Sequence, residues 1–335
     1  MGATLEGILS MKLLIVTQTV DIEDSVLKFF VRWIEEFAKH VEHIEVICLK
    51  EGKYELPENV RVRSLGKEKG VSRIKYILNF YKYIWNSRHD YDAVFVHMNP
   101  EYVILGGLFW RFWNKPIALW YTHKNVDTKL RIAERLVNII FTASKESFRF
   151  SSEKVHVMGH GIDVDFFSPE TSVARGTAVI SVGRLSPTKR NDLTIRAAEH
   201  FPNEVWIVGD GPEEHNLEVL ADNLNISPRV HFLGAQTHEE VRKECRSAGV
   251  FVHTSETGSL DKVVLEALAC GLPVITTSTI LTGLPVIQVS ATPQAIAKEV
   301  IAIRHTDTQS LVKYVREHHS LQNLISAILK AISTI

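Results

Sequence analysis

Cysteine is scarce in this chain of 335 residues: Cys48, Cys245 and Cys270 are its three, odd in number and far apart. That count and spacing exclude a disulfide framework and a paired-cysteine zinc site. Each thiol lies in or beside an apolar stretch, as reduced core cysteines do, so a cytoplasmic protein is expected. Long apolar runs are missing too, and none approaches the roughly 18 residues that a membrane span needs. Residues 1–10 carry neither the basic start nor the apolar core of a secretory leader. Met11-Lys12 leads directly into the first strand pattern, which makes residues 1–10 a tag or an upstream extension. An excess of one charge is also absent, with 38 Lys and Arg against 39 Asp and Glu. That balance disfavours a dedicated nucleic-acid binder. The histidines have no metal-ligand spacing, so no metal site is expected. Neither half opens with G-x-G-x-x-G after its first strand, which speaks against a dinucleotide oxidoreductase.

What is present is a repeated alternation of short β-branched runs with longer helical patterns. Strands are expected at 13–17, 44–49, 60–65, 93–97, 117–121, 139–143 and 155–158, with helices at 25–40 and 72–87 among them. A second series runs through 178–182, 205–208, 230–233, 250–253, 273–276 and 286–289, separated by helices at 191–200, 212–224, 238–247 and 260–270. Further helices are expected at 310–318 and 321–332. Apolar strands alternating with helices predict an α/β fold of two doubly wound parallel sheets, each covered on both faces. Phe166–Thr177 has neither period and marks the break, giving domains 1–168 and 177–318 with a cleft between them. Open parallel sheets bind ligands beyond the carboxyl ends of their strands, so the residues that follow each strand are the ones to weigh.

In the second half, strand 178–182 runs into Gly183-Arg184-Leu185-Ser186-Pro187-Thr188-Lys189-Arg190. Glycine permits close backbone approach, Arg offers a planar fork to phosphate oxygens, and Lys supplies a point charge. Alone, this loop reads equally well as a solvated basic turn. Gly209-Asp210-Gly211-Pro212-Glu213 after strand 205–208 reads as a tight turn into a helix. Strand 250–253 ends in Thr254-Ser255-Glu256-Thr257-Gly258-Ser259 before a helix from Leu260 to Cys270. Gly258 gives flexible approach and Ser259 an N-cap, so the free N–H groups of the helix start form an anion site. Lys262 and Glu266 share one helix face, either as a surface pair or as ligand-binding groups. Combined, two phosphate-suited cations, a helix N-terminus and a carboxylate predict a site for a nucleoside diphosphate.

These segments together resemble glycosyltransferase family 4. The matching runs are Val182-Gly183-Arg184-Leu185 with Lys189, GDGPE at 209–213, VHFLG at 230–234 and VVLEALACGLPVI at 263–275, in the family's order and spacing across the whole second half. A weaker match is His160-Gly161-Ile162-Asp163, where the family usually has Asn-Gly-Val/Ile-Asp. The resemblance implies a GT-B fold and a retaining, metal-independent sugar transferase. It would have no tightly bound cofactor and would use a nucleoside-diphosphate sugar, UDP-linked in preference to GDP-linked, with a glycan or lipid-linked acceptor. By the same resemblance Gly183, Arg184 and Lys189 meet the donor diphosphate, Glu266 holds the ribose, and the strand end at Phe232–Gly234 receives the base. The last helix, residues 319–335, is expected to pack back on the first domain. One departure stands out. The family's first glutamate, eight positions before Glu266, is here Gly258, while Glu256 and Asp261 are out of register. Either Asp261, Lys262 or the backbone around Gly258, Ser259 and Leu260 reads the sugar in its place, or catalysis is impaired. The retention of Arg184, Lys189 and Glu266 favours the former. A sugar-nucleotide epimerase of the same fold and a non-catalytic nucleotide-sugar binding subunit are the alternatives.

The first half offers fewer signals. Asp21 either orients an acceptor hydroxyl or caps the helix from Ser25. His97 and Asn99 follow one strand and Thr122-His123-Lys124 another; His123 resembles the family's histidine near the reaction centre and is the catalytic candidate of this half. From Arg61 to His89 there are eight Lys and Arg against one acid, Glu68, interleaved with aromatics. Such a helix either lies on an anionic membrane surface or turns its aromatics to the core and its lysines to water. The apolar stretch 102–113 (YVILGGLFWRFW) reads as a helix buried on the sheet or as a patch for a lipid-linked acceptor. Membrane contact through 61–89 and 102–113 would hold the protein at the inner face of the membrane.

Overall fold

The computed structural model describes residues 7, 9–24, 26–123, 125–170, 172–303 and 307–335. The chain divides into two compact units, Met1–Gly161 with Leu321–Ile335, and Ile162–Ser320. The division falls at Gly161, ahead of the 166–177 stretch, because Ile162, Val164 and Phe167 are buried in the core of the second unit.

The first unit contains a parallel sheet of strands β1 (Lys12–Val20), β2 (His43–Glu51), β3 (Val60–Ser64), β4 (Ala93–His97), β5 (Ile117–Trp120), β6 (Ile139–Thr142) and β7 (Val155–Val157). Their order is β3-β2-β1-β4-β5-β6-β7, so the direction of winding reverses between β1 and β4. Within β1, Leu13 and Ile15 enter one hydrophobic cluster while Leu14 and Val16 enter another. Alternate side chains point to opposite faces of a strand, and both faces here are covered. Helix α1 (Phe29–Ala38) lies on the first face with Phe30, Trp33, Ile34 and Phe37 buried. Helices α2 (Arg73–Asn86) and α3 (Pro100–Phe112) contribute Phe80, Ile84, Tyr102, Val103 and Trp110 to the second.

Helix α1 begins at Phe29 rather than at Ser25, which lies outside the described residues. The carboxylate of Asp24 accepts from the amides of Val26 and Leu27 at 3.0 and 2.8 Å, holding a turn where the apolar period alone suggested helix. The short amphipathic segment Thr128–Leu136 (α4) is a helix that the periodicity did not reveal. It is started by Asp127, whose side chain accepts from the Leu130 amide at 2.9 Å.

The second unit repeats the plan with β8 (Val179–Val182), β9 (Val205–Val208), β10 (Val230–Gly234), β11 (Val250–His253), β12 (Val274–Thr276) and β13 (Ile287–Gln288). Its order is β10-β9-β8-β11-β12-β13, reversing between β8 and β11. The helices are α5 (Asn191–Ala197), α6 (Glu214–Asn223), α7 (His238–Ser247), α8 (Lys262–Ala269), α9 (Pro293–Ala302) and α10 (Thr308–His319). Of these, α9 was not expected from the sequence; Thr292 caps it by accepting from the Ala295 amide at 3.3 Å. Ile162 and Ser320, the first and last residues of this unit, pair as a parallel bridge, and the Ile162 amide donates to the His319 carbonyl at 2.8 Å.

The terminal helix α11 (Leu321–Ile332) belongs to the first unit. Its buried stripe of Leu321, Leu324, Ile325, Ile328, Leu329 and Ile332 joins the cluster formed by α1 and alternate residues of β1. Ile328→Ala is therefore expected to destabilise the first unit by about 2–5 kcal/mol through an unfilled cavity. Hydrogen exchange should show lost protection in β1 and α1 with β8 and β11 unchanged; a loss confined to the second unit would contradict this packing.

Candidate functional site

At the carboxyl end of the second sheet, three strand-end loops are joined backbone to backbone. The Gly183 amide donates to the Val208 carbonyl at 2.9 Å, Leu185 to Asp210 at 2.6 Å, and Glu213 to Leu185 at 3.1 Å. The Gly209 amide donates to the Gly234 carbonyl at 2.7 Å. A Cβ at Gly209 would lie 2.0 Å from the Gly183 oxygen, and one at Gly211 2.2 Å from the Leu185 oxygen. Both glycines also have positive φ, 129° and 152°. The GDG turn is thus more than a helix entry, since it lays the loop carrying Arg184 flat against the sheet end. Arg184 itself is exposed, and among the described residues its guanidinium has no hydrogen bond or ion pair.

Lys189 closes a short 3-10 turn, Pro187–Lys189, and reaches across to Asp261 with Nζ 2.6 Å from Oδ2. The same oxygen is 2.9 Å from His253 Nε2, and the opposite ring nitrogen, Nδ1, is 3.1 Å from Thr276 Oγ1. His253 is buried, with Lys189 and Asp261 half-buried. Burial raises the cost of charging Asp261, but the His253 hydrogen bond and the Lys189 ammonium outweigh it and hold the carboxyl well below the usual range. Two further bonds fix the loop pair: Thr254 Oγ1 donates to the Lys189 carbonyl, and the Glu256 amide to the Thr188 carbonyl, both at 2.8 Å. Arg190 pairs with Glu256 at 2.5 Å and with Asp192 at 3.0 Å, so it is structurally engaged.

The helix after this loop begins at Lys262, two residues later than expected, with Asp261 and not Ser259 in the N-cap position. Asp261 gives its side chain no capping bond, because Lys189 and His253 occupy it. Ser259 Oγ instead donates to Thr257 Oγ1 at 3.4 Å, and Gly258 takes φ +63°. Lys262 and Glu266 are half-buried rather than a solvated surface pair. Desolvation pushes the Lys262 ammonium down to about 8, with Glu266 opposing the shift. Leu260 packs at the edge of the unit's core, and Phe232 is half-buried just before a register shift that ends at Gly234.

In the first unit, Asp21 is buried and braces a loop instead of capping α1. It accepts from the amides of Glu23 and Lys53 at 3.0 and 3.3 Å and from Lys50 Nζ at 3.3 Å. Backbone donation from Glu23 is the leading cause that lowers its pKa. His97 is buried in a stack on Phe30, ring centres 3.9 Å apart, with Nδ1 3.3 Å from Thr17 Oγ1. Asn99 is half-buried and accepts from Gln18 Nε2 at 2.7 Å, while His123 is exposed and its Nδ1 accepts from the Asn125 amide at 3.1 Å. Lys124 lies outside the described residues. Met98, between His97 and Asn99, has φ 66°, and its sulfur accepts from the Thr122 amide at 3.4 Å. Sequence reasoning missed His253 and Gln18; each is a polar residue on a strand, and no spacing tied either to its partner.

Two Rossmann-like units of parallel sheet, one ending in cationic, glycine-built loops, make this a GT-B protein. Residues 166–325 match the family described as glycosyl transferases group 1. Among curated proteins, the D-inositol 3-phosphate glycosyltransferase of Mycobacterium sp. (strain JLS) is 34% identical over 176 residues, covering 48% of this chain and 38% of the relative. The match thus spans well under half of that relative's length. Among solved structures, Anabaena Alr3699/HepE in complex with UDP aligns at TM-score 0.75 and 18% identity, covering 97% of this chain and 100% of the other. The lipopolysaccharide outer core galactosyltransferase WaaB aligns at TM-score 0.66 and 14% identity, with 97% and 100% coverage.

Two substitutions test the site's construction. Gly209→Ala should cost about 2–4 kcal/mol, since a clash with backbone adds to the positive φ, whereas Gly70→Ala, at positive φ in open space, should cost only about 1 kcal/mol. Equal midpoint shifts in urea unfolding would refute the packing argument. Asp261→Asn should lower stability at neutral pH by about 2–3 kcal/mol by leaving Lys189 without its counter-charge. Because its native pKa is depressed, Asp261 stabilises the fold above the unfolded carboxyl value, and that contribution fades as the pH falls through the native one. Wild type and Asp261→Asn should accordingly converge in stability on acidification; a gap that persists into strong acid would point to another cause.

Proposed function

We propose that this chain is a retaining, metal-independent glycosyltransferase that moves a sugar from a nucleoside-diphosphate sugar to a glycan or lipid-linked acceptor. The observation that carries the reading is the cationic strand end of the second unit. There Arg184 is exposed with no hydrogen bond or ion pair among the described residues, Lys189 is held by Asp261, and Lys262 opens helix α8. Breaking the anomeric C–O bond leaves negative charge on the departing diphosphate. Preorganised cations and a helix N-terminus stabilise that charge without the reorganisation water would need. In this assignment Arg184, Lys189 and the backbone at Gly183 hold the diphosphate, Glu266 receives the ribose hydroxyls, and Phe232 lies beside the base. Gly258, Ser259 and Leu260 line the sugar with backbone N–H groups in place of the glutamate the family resemblance led us to expect at 258. Asn99 and His123 are assigned to the acceptor, with His123 at the reacting hydroxyl. The buried Asp21 and His97 shape that loop surface. A UDP-linked donor is preferred on the analogy of the HepE complex with UDP, and the D-inositol 3-phosphate glycosyltransferases supply the analogy for sugar transfer to a hydroxyl.

A thermal-shift screen of UDP, GDP and their sugars tests the donor site. UDP at about 100 times its Kd should stabilise the protein by about 2.7 kcal/mol, and Arg184→Ala should abolish most of that gain. If no nucleotide raises Tm, the assignment is wrong. Anomeric NMR of the product should show the donor's configuration retained, and product formed without any acceptor would instead indicate an epimerase. Lys262 supplies a separate signature. Its ammonium, depressed to about 8 in the free protein, should regain its proton when a diphosphate docks beside it. Calorimetry slightly above pH 8 in buffers of different ionisation enthalpy should then show proton uptake on UDP binding, absent in Lys262→Met.

A further inference from the structure

Helices α2 and α3 share an inner face buried on the first sheet, yet each also turns large apolar side chains outward. On α2, Ile74 is 71% exposed, Leu78 63% and Trp85 52%; on α3, Leu108 is 69% and Phe112 83% exposed. The α2 residues are spaced four and seven apart, which places them along one stripe of the helix. The two helices are also joined near this surface by rings. Tyr81 meets Phe109 edge-on at 5.6 Å between centres, and Trp85 meets Trp113 at 5.7 Å. These ring contacts make α2 and α3 neighbours, so their exposed apolar side chains cluster rather than lie scattered over the surface. Of the two readings of this segment, the inward turn of its aromatics holds for Phe80, joined by Ile84, whereas Ile74, Leu78 and Trp85 face outward.

Basic residues predominate along the patch; the nearest acids in sequence are Asp90, past the end of α2, and Glu101, in the first turn of α3 and paired with Lys129. Arg73, Lys75 and Lys82 are exposed on α2, and among the described residues none of them forms an ion pair. Arg88 lies over the Trp85 ring at 5.2 Å. Neither Ser72–His89 nor Tyr102–Lys115 contains an acidic residue. No helix among the described residues is long and apolar enough to cross a membrane.

We propose that this α2–α3 face docks on an anionic lipid surface, with Leu78, Trp85, Leu108 and Phe112 entering the headgroup boundary and Arg73, Lys75 and Lys82 meeting lipid phosphates. An unpaired basic rim around a protruding apolar centre is the combination that gives reversible interfacial binding, because shallow apolar insertion and electrostatic attraction are each weak alone. A protein partner would require acidic complementarity, and a second copy would bring basic rim against basic rim. This inference is independent of the donor-site reading, since α2 and α3 contribute no residue to that site.

Flotation of the full chain with vesicles tests it. Phosphatidylcholine vesicles containing about 30 mol% phosphatidylglycerol should carry the wild type upward, pure phosphatidylcholine should carry much less, and about 0.5 M NaCl should release it. Leu78→Ser/Phe112→Ser and Lys75→Glu/Lys82→Glu should each reduce partitioning at least about tenfold while melting as the wild type does. Failure of the wild type to float with anionic vesicles overturns the proposal, as does equal flotation of both double variants. A dimer in sedimentation that Phe112→Ser dissociates, without flotation, would assign the face to a second copy of the chain. UDP-induced stabilisation should be unaffected in both variants, so this result and that of the donor site are read separately.

Discussion

A methyl group at Gly209 would sit 2.0 Å from the carbonyl oxygen of Gly183, and much of the second unit's ligand end follows from that close approach. Because neither residue has a side chain, the loops after β8 and β9 hydrogen-bond as if the sheet continued past its strands. The exposed Arg184 then stands on a rigid base. Its neighbour Lys189 is carried to within reach of Asp261 at the start of α8. Any side chain between these loops would disturb the packing that carries Lys189 to the start of α8.

Charge compensation is the second layer. Asp261 stands where a capping side chain would normally serve its own helix, but it serves Lys189 and His253 instead. A lysine held this way has little side-chain freedom left to lose. Lys262, one residue on, is desolvated, which depresses its pKa against the opposing pull of Glu266. The loop therefore holds one lysine in an ion pair and a second that burial makes easier to deprotonate. Gly258 stands where the family resemblance led us to expect a glutamate, while Asp261 nearby binds Lys189.

Most strands were legible from the sequence. Four-to-nine-residue β-branched runs bounded by Gly and Pro leave few alternatives once both faces are buried, and β4, β9 and β11 begin and end where the pattern puts them. Helix boundaries were less legible. The start of α1 was displaced by a side-chain turn at Asp24, and that of α8 by a loop whose hydroxyls bond to one another. Helices α4 and α9 escaped notice because short helices draw on caps and tertiary packing more than on a repeating apolar period. Among the candidate residues, Arg184 and Lys189 were visible as cations after a strand, whereas the capping alternative for Asp21 failed because its partners Lys50 and Lys53 lie at another strand end.

By itself the sequence determined the class of fold, the order of elements and the loops that hold the chemistry, since these follow from local periodicity, glycine placement and a motif series in fixed order. Only the tertiary structure decided how the charges are shared. Lys189 comes from the loop after β8, and His253 and Asp261 from the end of β11 and the start of α8, up to 72 residues away, and no spacing rule links them. It likewise decided which apolar residues of α2 and α3 face outward, because an aliphatic side chain reads the same in sequence whether a sheet covers it or not. Both outcomes depend on which backbones approach within contact distance, a property of the packed chain and not of any segment taken alone.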